Sequence, residues 1–385
     1  MGINNLGILI KYKSPSSITY KNHEYFKGMK IGFDTSIYIY KYVTAIRGSG
    51  YDLTTKDGKL ISHIYGIWSK ILSNLKNGIE SVWIFDGEPP NIKQNIIKSR
   101  RKKKHVAKHK LQTGCFKDEY ERQILSKSSF NIKNEHIADI SKLLSLIGIP
   151  FIQSIGEAEA QCVALNKAGK IDGIASEDWD VLALGGKLLL KDFTGKKLVK
   201  SINRDALLGD LDLTYEQFIE LCIIMGTDYC SGIGNLGPVK AYEEYINCGK
   251  SIEKLVKCFK KRGRYKIPHN FLEQAEIIKN YYINVDVLDP CDPAIDYTWK
   301  KPDRDGLEEY LIDELGMNRE RTLQNINMIM KIYEEYRLNN KLSGGFRVNN
   351  YNKFKLKLGN TDIDIDDIED RYSINIKELS EPPRY

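Results

Sequence analysis

Short apolar runs alternate with amphipathic segments along most of the chain. Residues 30–34 and 81–86 are apolar runs that each end in a carboxylate, and both have the length of a buried strand. Between them, residues 62–75 carry apolar side chains at roughly helical spacing. Strand, helix and strand in this order predict an α/β fold with a mostly parallel central sheet flanked by helices.

The same alternation continues toward the C-terminus. Further strands are predicted at 148–153, 171–176 and 187–193, and further helices at 136–147, 157–168, 213–225 and from Pro238. Residues 91–130 are polar and strongly basic, which predicts a helical excursion outside the core. Residues 251–336 read as helices that close the domain, apart from a loop around 287–290.

The last part of the chain has a different composition. Its low apolar content and alternating charge blocks predict a flexible tail over residues 336–385. Within it, the acidic segment 362–370 (DIDIDDIED) alternates Asp with Ile. That alternation would also suit an edge strand, and the sequence leaves both interpretations open.

Positive charge is concentrated in one segment. The formal net charge is +7, a bias that permits nucleic-acid binding without requiring it. Residues 98–110 (KSRRKKKHVAKHK), which include Lys103 and Lys104, carry much of it. Such a run is also typical of a nuclear localisation signal or of a solvated helix face, so three interpretations stay open.

Cysteine usage and hydropathy indicate the compartment. The seven cysteines are scattered without a C-x-x-C pair, which argues against a disulfide framework or a zinc site. This usage favours a reducing intracellular compartment. Because the sequence has no apolar stretch of about 18 residues, we expect a soluble protein without a membrane span.

Seven carboxylates form the most informative pattern in the chain. They are Asp34, Asp86, Glu157, Glu159, Asp178, Asp180 and Asp228. Several follow predicted strands, and the carboxyl ends of parallel strands share one crevice in an open α/β sheet. Acids packed together there would repel one another strongly unless cations were bound. Oxygen ligands suit Mg²⁺, and two such ions can support phosphodiester hydrolysis.

The spacing of these acids adds detail. Asp178 and Asp180 are two residues apart, so in an extended backbone both would point to one side. Glu157 and Glu159 have the same spacing, which a regular helix would separate, and they converge only where the chain begins a helix. A single acid of this kind is often a solvated cap at a strand end, but that interpretation is poor for all seven together.

Two basic features follow the acids along the chain. Lys93 and Arg100 are seven residues apart, about two helical turns, so they could stabilise charge on a scissile phosphate from one helix face. A solvated basic face would explain the spacing equally well. Residues 230–240 (CSGIGNLGPVK) form a Gly-rich turn before a helix, which suits phosphate binding but also serves as an ordinary connection.

The motifs resemble those of the structure-specific 5′ nucleases, and among these most closely the flap endonucleases. The matching segments, in the family's order, are MGINNL, IGFDTSIYIY, VWIFDGEPPNIK, GEAEAQC, ASEDWDVLALG and LCIIMGTDYCSGIGNLGPVKA. The resemblance implies a nuclease domain over residues 1–335, followed by the tail at 336–385. Its parts would be an N-terminal part (1–105), a helical arch (about 91–130), an internal part (136–225), a helix–two-turn–helix module (about 226–250) and closing helices (251–335).

The resemblance also assigns roles to residues. Members of this family cut DNA at junctions of double and single strands with two Mg²⁺ ions, and their metal-binding acids fall on the seven carboxylates without substitution. Their catalytic basic pair falls on Lys93 and Arg100. The aromatic that stacks on the attacked nucleotide falls on Tyr40, and Gly2 and Arg47 occupy positions used near the junction.

The Gly-rich turn matches the family's helix–two-turn–helix module with departures. That module grips duplex phosphates, commonly with a K⁺ ion held by backbone carbonyls, and Gly237 and Lys240 keep its pattern. Asn235 replaces the usual first Gly, and Val239 replaces a common basic residue. The resemblance therefore implies a duplex grip that is weakened or rearranged rather than lost.

The expected partner is branched DNA with 5′ flaps, bound by a monomer. The site of action would be the nucleus or another place of DNA replication, which is the cytoplasm for a cytoplasmic DNA virus. The tail lacks the motif Q-x-x-[ILM]-x-x-[FY]-[FY], so recruitment by a sliding clamp is doubtful. Residues 87–156, between Asp86 and Glu157, have the length of a compact arch rather than of a long insertion.

Two other functions stay open at this level. A 5′→3′ exonuclease or exoribonuclease could use the same scaffold and the same acids. A non-catalytic binder of DNA junctions would be expected to lack one or more of the acids, and none is missing. Flap cleavage in DNA replication and repair is the function that the sequence favours.

Overall fold

The computed structural model describes residues 2–48, 51–194 and 197–342, which form two compact units. The first, called the sheet unit, contains the described residues up to Ile37 together with Lys76–Ser99 and Ile149–Trp299. The second, called the helical unit, contains Tyr38–Leu75, Arg100–Gly148 and the described residues from Lys300 onward. The acidic segment predicted at 362–370 lies outside the described residues.

The strands of the sheet unit pair into one mixed sheet. They are β1 (Ile18–Lys21), β2 (Lys30–Asp34), β3 (Glu80–Phe85), β4 (Phe151–Gln153), β5 (Gly173–Ala175), β6 (Leu188–Lys191) and β7 (Val199–Asn203). Their order across the sheet is β1-β7-β6-β5-β2-β3-β4. The pairs from β6 to β4 are parallel, whereas β7 pairs antiparallel with both β6 and β1. The predicted α/β fold with a mostly parallel sheet is confirmed.

The topology reverses direction beside β2. The chain passes from β2 to β3 and β4 on one side, and it then continues through β5 and β6 on the other side. Such a reversal opens a crevice at the carboxyl ends of the strands. Asp34 of β2 pairs in register with Ile84 of β3, and Phe33 pairs with Ala175 of β5. The three central strands therefore end at nearly the same level, and the residues that follow them enter one crevice.

The central strands are apolar because they are buried. Ile31, Phe33, Val82 and Ile84 have no exposed surface, and the rings of Phe33 and Trp83 stack with their centroids 4.9 Å apart. Burying each such side chain stabilises the fold by about 1.5–3 kcal/mol. Strands buried on both faces read as continuous apolar runs, which is why β2 and β3 could be predicted from sequence.

Eight helices in the described residues belong to the sheet unit. They are α1 (Leu6–Lys13), α7 (Ala158–Lys167), α8 (Asp180–Ala183), α9 (Arg204–Leu211), α10 (Tyr215–Met225), α11 (Pro238–Asn247), α12 (Ile252–Arg262) and α13 (Phe271–Ile283). Helix α10 begins with a reciprocal cap. The Gln217 backbone nitrogen donates to the Thr214 hydroxyl, and the Thr214 backbone nitrogen donates to the side-chain oxygen of Gln217. It ends at Gly226, which has φ 97°, and Asp228 follows two residues later.

The helical unit contains the remaining helices of the described chain. Helices α3 (Ser62–Lys76), α5 (Glu119–Ser129), α6 (Asn134–Ile147), α14 (Arg304–Glu308) and α15 (Arg319–Leu342) belong mostly or wholly to it, and α2 (Thr35–Arg47) and α4 (Gln94–Gln112) continue into it from the sheet unit. Helices α4 and α5 agree with the excursion predicted at 91–130. Helix α15 runs past residue 335, so the predicted tail is helical as far as Leu342.

Several elements escaped prediction because their sequence patterns are short. Strand β1 has two exposed residues in the middle of its four, so no apolar run marks it. Strand β7 has only two apolar residues in its five positions, and they do not alternate regularly with polar ones. Both form the antiparallel edge of the sheet, which pairing with β6 stabilises and which local sequence alone does not signal.

Candidate metal centre

Two of the seven acids come directly from the central strands. Asp34 ends β2, and one of its carboxylate oxygens accepts a hydrogen bond from the backbone nitrogen of Ile37 at 3.1 Å. Asp86 follows β3 and accepts from the backbone nitrogen of Ala158 at 2.9 Å. Each carboxylate is therefore held by the first turn of a helix, whose free N–H groups attract negative charge.

Two further acids are placed by the start of α7. Glu157 has an extended backbone immediately before the helix, whereas Glu159 lies in its first turn. Glu159 shares a hydrogen bond with Asp34. The predicted helix start is present, and both glutamates raise the pKa of Lys93. Their convergence on one metal site stays a prediction.

The last three acids form the tightest group. Asp178, Asp180 and Asp228 each offer an oxygen, and these three atoms lie within 4.8 Å of one another. The prediction that an extended backbone aligns Asp178 with Asp180 is wrong, because Trp179 is helical and Asp180 begins α8. Instead, the Asp180 backbone nitrogen donates to the Asp178 carboxylate at 3.0 Å, and this turn brings the two together.

Burial and mutual repulsion perturb these carboxyls. Asp34, Asp178 and Asp180 are exposed by only 2%, 4% and 3% of their surface. Burial, followed by the charge of Asp86, raises the pKa of Asp34 to about 8. Burial likewise raises the pKa of Glu159, with contributions from Asp34 and Asp178, and that of Asp180, with a contribution from Asp178. Positive charge in the site would therefore favour the charged forms of Asp34, Glu159 and Asp180.

The donor set fits a hard divalent cation. All seven groups offer carboxylate oxygens, which Mg²⁺ prefers, and neither a thiolate nor an imidazole belongs to the described cluster. A cation among Asp178, Asp180 and Asp228 would offset the repulsion that raises the pKa of Asp180. The cluster is therefore suited to a divalent metal.

The Lys93 side chain lies at the acids. Its ammonium donates to Glu157 and lies 5.5 Å from the ring centroid of Tyr229. Burial alone would lower its pKa, but Glu157 and Glu159 outweigh burial and raise it. Lys93 ends a 3₁₀ turn before α4, whereas Arg100 lies within α4 in the helical unit. The two are therefore not on one regular helix, contrary to the prediction from their spacing.

Three tyrosines at the acids were missed by the sequence analysis. The Tyr229 and Tyr281 hydroxyls donate to Glu157 at 2.7 and 2.9 Å, and the Tyr282 hydroxyl donates to Asp180 at 3.0 Å. Burial raises the pKa of all three tyrosines, so they remain protonated donors. Tyr229 follows Asp228 within a matching motif, but Tyr281 and Tyr282 had no signal beyond ordinary helical residues.

Gly2 lies against the same acids. Its φ is +76°, and a Cβ atom built on it would lie 2.0 Å from an oxygen of Asp178 and 2.9 Å from the backbone nitrogen of Asp180. Neither the backbone conformation nor the space suits another residue. The placement of Gly2 beside the acids agrees with the position that the resemblance gave it.

The helical unit holds several of the residues predicted to contact DNA. Tyr40 is 38% exposed, and the Lys104 ammonium lies 5.9 Å from its ring centroid. The Arg47 guanidinium pairs with Asp52 at 2.9 Å and lies 5.0 Å from the ring centroid of Phe130. Arg100 and Lys103 are exposed on α4.

In the Gly-rich turn of the sheet unit, Asn235 adopts a backbone conformation that suits Gly. Asn235 has φ 62°, the left-handed conformation that Gly adopts freely and that Asn tolerates best among other residues. Gly237 precedes α11 at its N-cap position and is exposed. Lys240 is also exposed, and its ammonium lies 3.5 Å from Glu244.

Comparisons with known proteins agree with this geometry. The XPG N-terminal domain matches residues 1–107, and the XPG I-region matches residues 148–228. Flap endonuclease 1 of Aedes aegypti is 33% identical over 342 residues, covering 86% of this chain and 87% of that protein. Flap endonuclease 1 of Homo sapiens is 32% identical over 336 residues, with coverage of 86% and 87%. The chain belongs to the flap endonuclease family.

Solved structures have the same fold. Flap endonuclease-1 from Methanococcus jannaschii is 25% identical, has a TM-score of 0.61, and covers 83% of this chain and 97% of its own. The catalytic core of Rad2 in complex with DNA substrate is 24% identical with a TM-score of 0.62, covering 85% and 99%, which supports the fold alone. Among the described helices of this flap endonuclease, none is long and apolar enough to cross a membrane.

Proposed function

We propose that this chain is a structure-specific 5′ flap endonuclease that hydrolyses DNA at junctions of single and double strands. The reaction would serve DNA replication and repair. The observation that carries the proposal is the buried group of acids at the carboxyl ends of the strands, with Asp178, Asp180 and Asp228 within 4.8 Å. Membership of the flap endonuclease family gives this group its substrate class.

Two Mg²⁺ ions are the proposed cofactors. Asp178, Asp180 and Asp228 would hold one ion, and Asp34, Asp86 and Glu159, which perturb one another electrostatically, would hold the other with Glu157 nearby. When bound, such a pair activates a water molecule and stabilises the leaving oxygen of a phosphodiester. The K⁺ ion at the Gly-rich turn stays a prediction from the resemblance.

Residues of the chain would bind and orient the substrate. Lys93 lies at the acids and can stabilise charge that develops on the scissile phosphate. Arg100 is assigned the same role by the resemblance alone. In the helical unit, Tyr40 can stack on a base, and Arg47, Lys103 and Lys104 can contact phosphates.

The duplex would be bound separately, through its phosphates. The free N–H groups that begin α11 follow Gly237, and the exposed Lys240 lies on the first turn. Contacts of this kind are largely independent of sequence and weaken with salt. Gly2, beside Asp178, would help to position the junction. We expect the protein to act as a monomer.

Cleavage of matched flap, nick, gap and bubble substrates tests the proposal. With Mg²⁺, a 5′-labelled flap should release one fragment of flap length, and chelation should abolish cleavage. A ladder of mononucleotides would instead favour a 5′→3′ exonuclease. Binding without cleavage of any of the substrates would leave only a junction-binding protein and would contradict the proposed reaction.

A further inference from the structure

Helix α13 ends beside the acids with two consecutive tyrosines. Neighbouring residues on a helix point about 100° apart, so adjacent side chains reach different groups. The Tyr281 hydroxyl donates to an oxygen of Glu157 at 2.9 Å, whereas the Tyr282 hydroxyl donates to an oxygen of Asp180 at 3.0 Å. One helical turn thus contacts two of the proposed metal ligands.

We propose that Tyr281 and Tyr282 are positioning residues, whose hydroxyls fix the orientation of Glu157 and Asp180 toward a divalent cation. The inference rests on the proposed function, because it concerns the metal site of that reaction. It extends that function by assigning a role to a helix that none of the matching motifs includes.

A hydroxyl donor orients a carboxylate without neutralising it. Both oxygens of a free carboxylate exchange places by rotation of the last bond of the side chain. A hydrogen bond to one oxygen holds that rotation, so the direction of the other oxygen is set. A lysine would also hold the group but would offset the negative charge that a cation needs. The neutral tyrosine hydroxyls leave that charge in place, whereas the Lys93 ammonium at the second oxygen of Glu157 offsets part of it.

The rings that carry these hydroxyls are immobilised. Tyr282 has no exposed surface. Its ring centroid lies 5.5 Å from that of Tyr229 and 6.1 Å from that of Tyr281, and the centroids of Tyr229 and Tyr281 are 5.0 Å apart. Packing of this kind limits the rotamers of all three side chains, so their hydroxyls form a preorganised set of donors.

The two tyrosines should contribute unequally to metal binding. The Glu157 oxygen that accepts from Tyr281 also accepts from Tyr229 at 2.7 Å, so loss of one hydroxyl leaves the other in place. Asp180 accepts from Tyr282 and is one of the three acids grouped within 4.8 Å. Removal of the Tyr282 hydroxyl should therefore weaken metal binding more than removal of the Tyr281 hydroxyl.

Substitution by phenylalanine removes each hydroxyl while keeping its ring. The variants are Tyr282→Phe, Tyr281→Phe and the double variant Tyr229→Phe/Tyr281→Phe. A matched control is Tyr245→Phe, because the buried Tyr245 also donates to a carboxylate, that of Glu220 at 2.8 Å, outside the acid group. Mn²⁺ binding to the DNA-free protein is measured by electron paramagnetic resonance, and thermal unfolding is measured in chelator.

We expect Tyr282→Phe and the double variant to bind Mn²⁺ about 10-fold or more weakly, the range for loss of a group that supports a ligand. Tyr281→Phe should show a smaller loss, and Tyr245→Phe should bind as the wild type does. The Mg²⁺ concentration that half-saturates flap cleavage should rise in the same order. Unfolding in chelator should change similarly in Tyr282→Phe and Tyr245→Phe.

The inference fails if Tyr282→Phe and the double variant bind Mn²⁺ like the wild type and lose only thermal stability, as Tyr245→Phe does. The proposed function fails separately, if the wild-type protein neither binds Mn²⁺ nor cleaves flaps. Because the wild type reports on the function and the variants report on the tyrosines, the two outcomes are distinguishable.

Discussion

The sheet unit and the helical unit each concentrate charge of one sign, but they differ in how that charge is solvated. In the sheet unit, Asp34, Asp178 and Asp180 are almost completely buried. In the helical unit, Arg101, Lys103 and most of the other basic residues of α4 are exposed. Water screens exposed charges at little cost, whereas like charges that are buried together repel strongly.

This difference separates two kinds of function. The buried acids of the sheet unit favour the binding of cations, because the fold holds the acids together against their mutual repulsion. The exposed cations of the helical unit need no ligand, because a solvated helix is stable without one. Each exposed cation would add only a small increment to the affinity for nucleic acid. Substitutions in the two units should therefore have effects of very different size.

Loss of one buried acid should have the largest effect. Asp180→Asn removes a charge from the group of three acids and should slow flap cleavage by roughly 10³-fold, which corresponds to several kcal/mol of transition-state stabilisation. In chelator, the variant should be at least as stable as the wild type because repulsion is reduced. The control is Asp205→Asn, an exposed acid paired with Arg204, and it should change the rate little. Wild-type rates for Asp180→Asn would contradict the assignment.

The buried cation should rank second. Lys93→Ala leaves Glu157 without its ammonium partner and removes the charge proposed to act on the phosphate. Cleavage at saturating substrate should fall by about 10²-fold, as for loss of one donor at a developing charge. Lys98→Ala, which alters an exposed lysine of the same unit, is the matched control. Equal rates for the two variants would remove Lys93 from the mechanism.

Crowding at the acids should have an intermediate effect. Gly2→Ala places a Cβ 2.0 Å from an Asp178 oxygen, so the terminus or the acid must move, and cleavage should slow roughly tenfold. Gly169→Ala is the control, since Gly169 has φ +70° but nothing within 4 Å of its added Cβ. It should lose about 1 kcal/mol of stability and no activity. Similar activity losses in both variants would point to backbone strain alone.

The two units should also respond to pH with opposite signs. Burial raises the pKa of Asp34 to about 8, so without metal the folded state binds more protons than the unfolded state, and stability falls as pH rises from about 4 to 8. Burial lowers the pKa of His136 to about 4, so there the unfolded state binds more protons. The contribution of neutral His136 to the free energy of unfolding is fully present above about pH 6.5 and is lost as pH falls toward 4.

Unfolding free energies in chelator at several pH values test these signs. Asp34→Asn should remove part of the decline toward pH 8, and added Mg²⁺ should reduce the same decline in the wild type. His136→Gln keeps a side-chain acceptor for the Lys133 backbone nitrogen, which donates to the His136 ring at the start of α6. It should remove part of the loss of stability below pH 6.5. Parallel pH profiles for the two variants would contradict the comparison.

The smallest effect is expected for an exposed cation of the helical unit. Lys103→Ala should weaken DNA binding only a few-fold at physiological salt and lower the slope of log affinity against log salt by about one. Lys142→Ala, which removes a lysine paired with Glu314 in the same unit, should leave both values unchanged. Binding titrations at two or more salt concentrations measure them. If Lys103→Ala lost activity by as large a factor as Lys93→Ala does, the expected difference between substitutions in the two units would be contradicted.

Much of the site could be predicted because its residues lie at the ends of recognisable elements. The apolar runs of β2 and β3 located Asp34 and Asp86, and the two-residue spacing of Glu157 and Glu159 predicted the helix start that lies between them. The sequence correctly grouped Asp178 with Asp180, but the reason it gave was wrong. A turn into α8, and not an extended strand, joins them. The long motifs indicated the family, and through it the metal and the class of substrate.

The sequence alone therefore determined the parallel strands, the seven acids and membership of the flap endonuclease family, because each depends on residues close together in the chain. Only the tertiary structure decided how those acids are held. Tyr281 donates to Glu157 across 124 positions, and Tyr282 donates to Asp180 across 102. Contacts between residues so far apart follow from the packing of α13 on the rest of the sheet unit, which no periodicity in the sequence reveals.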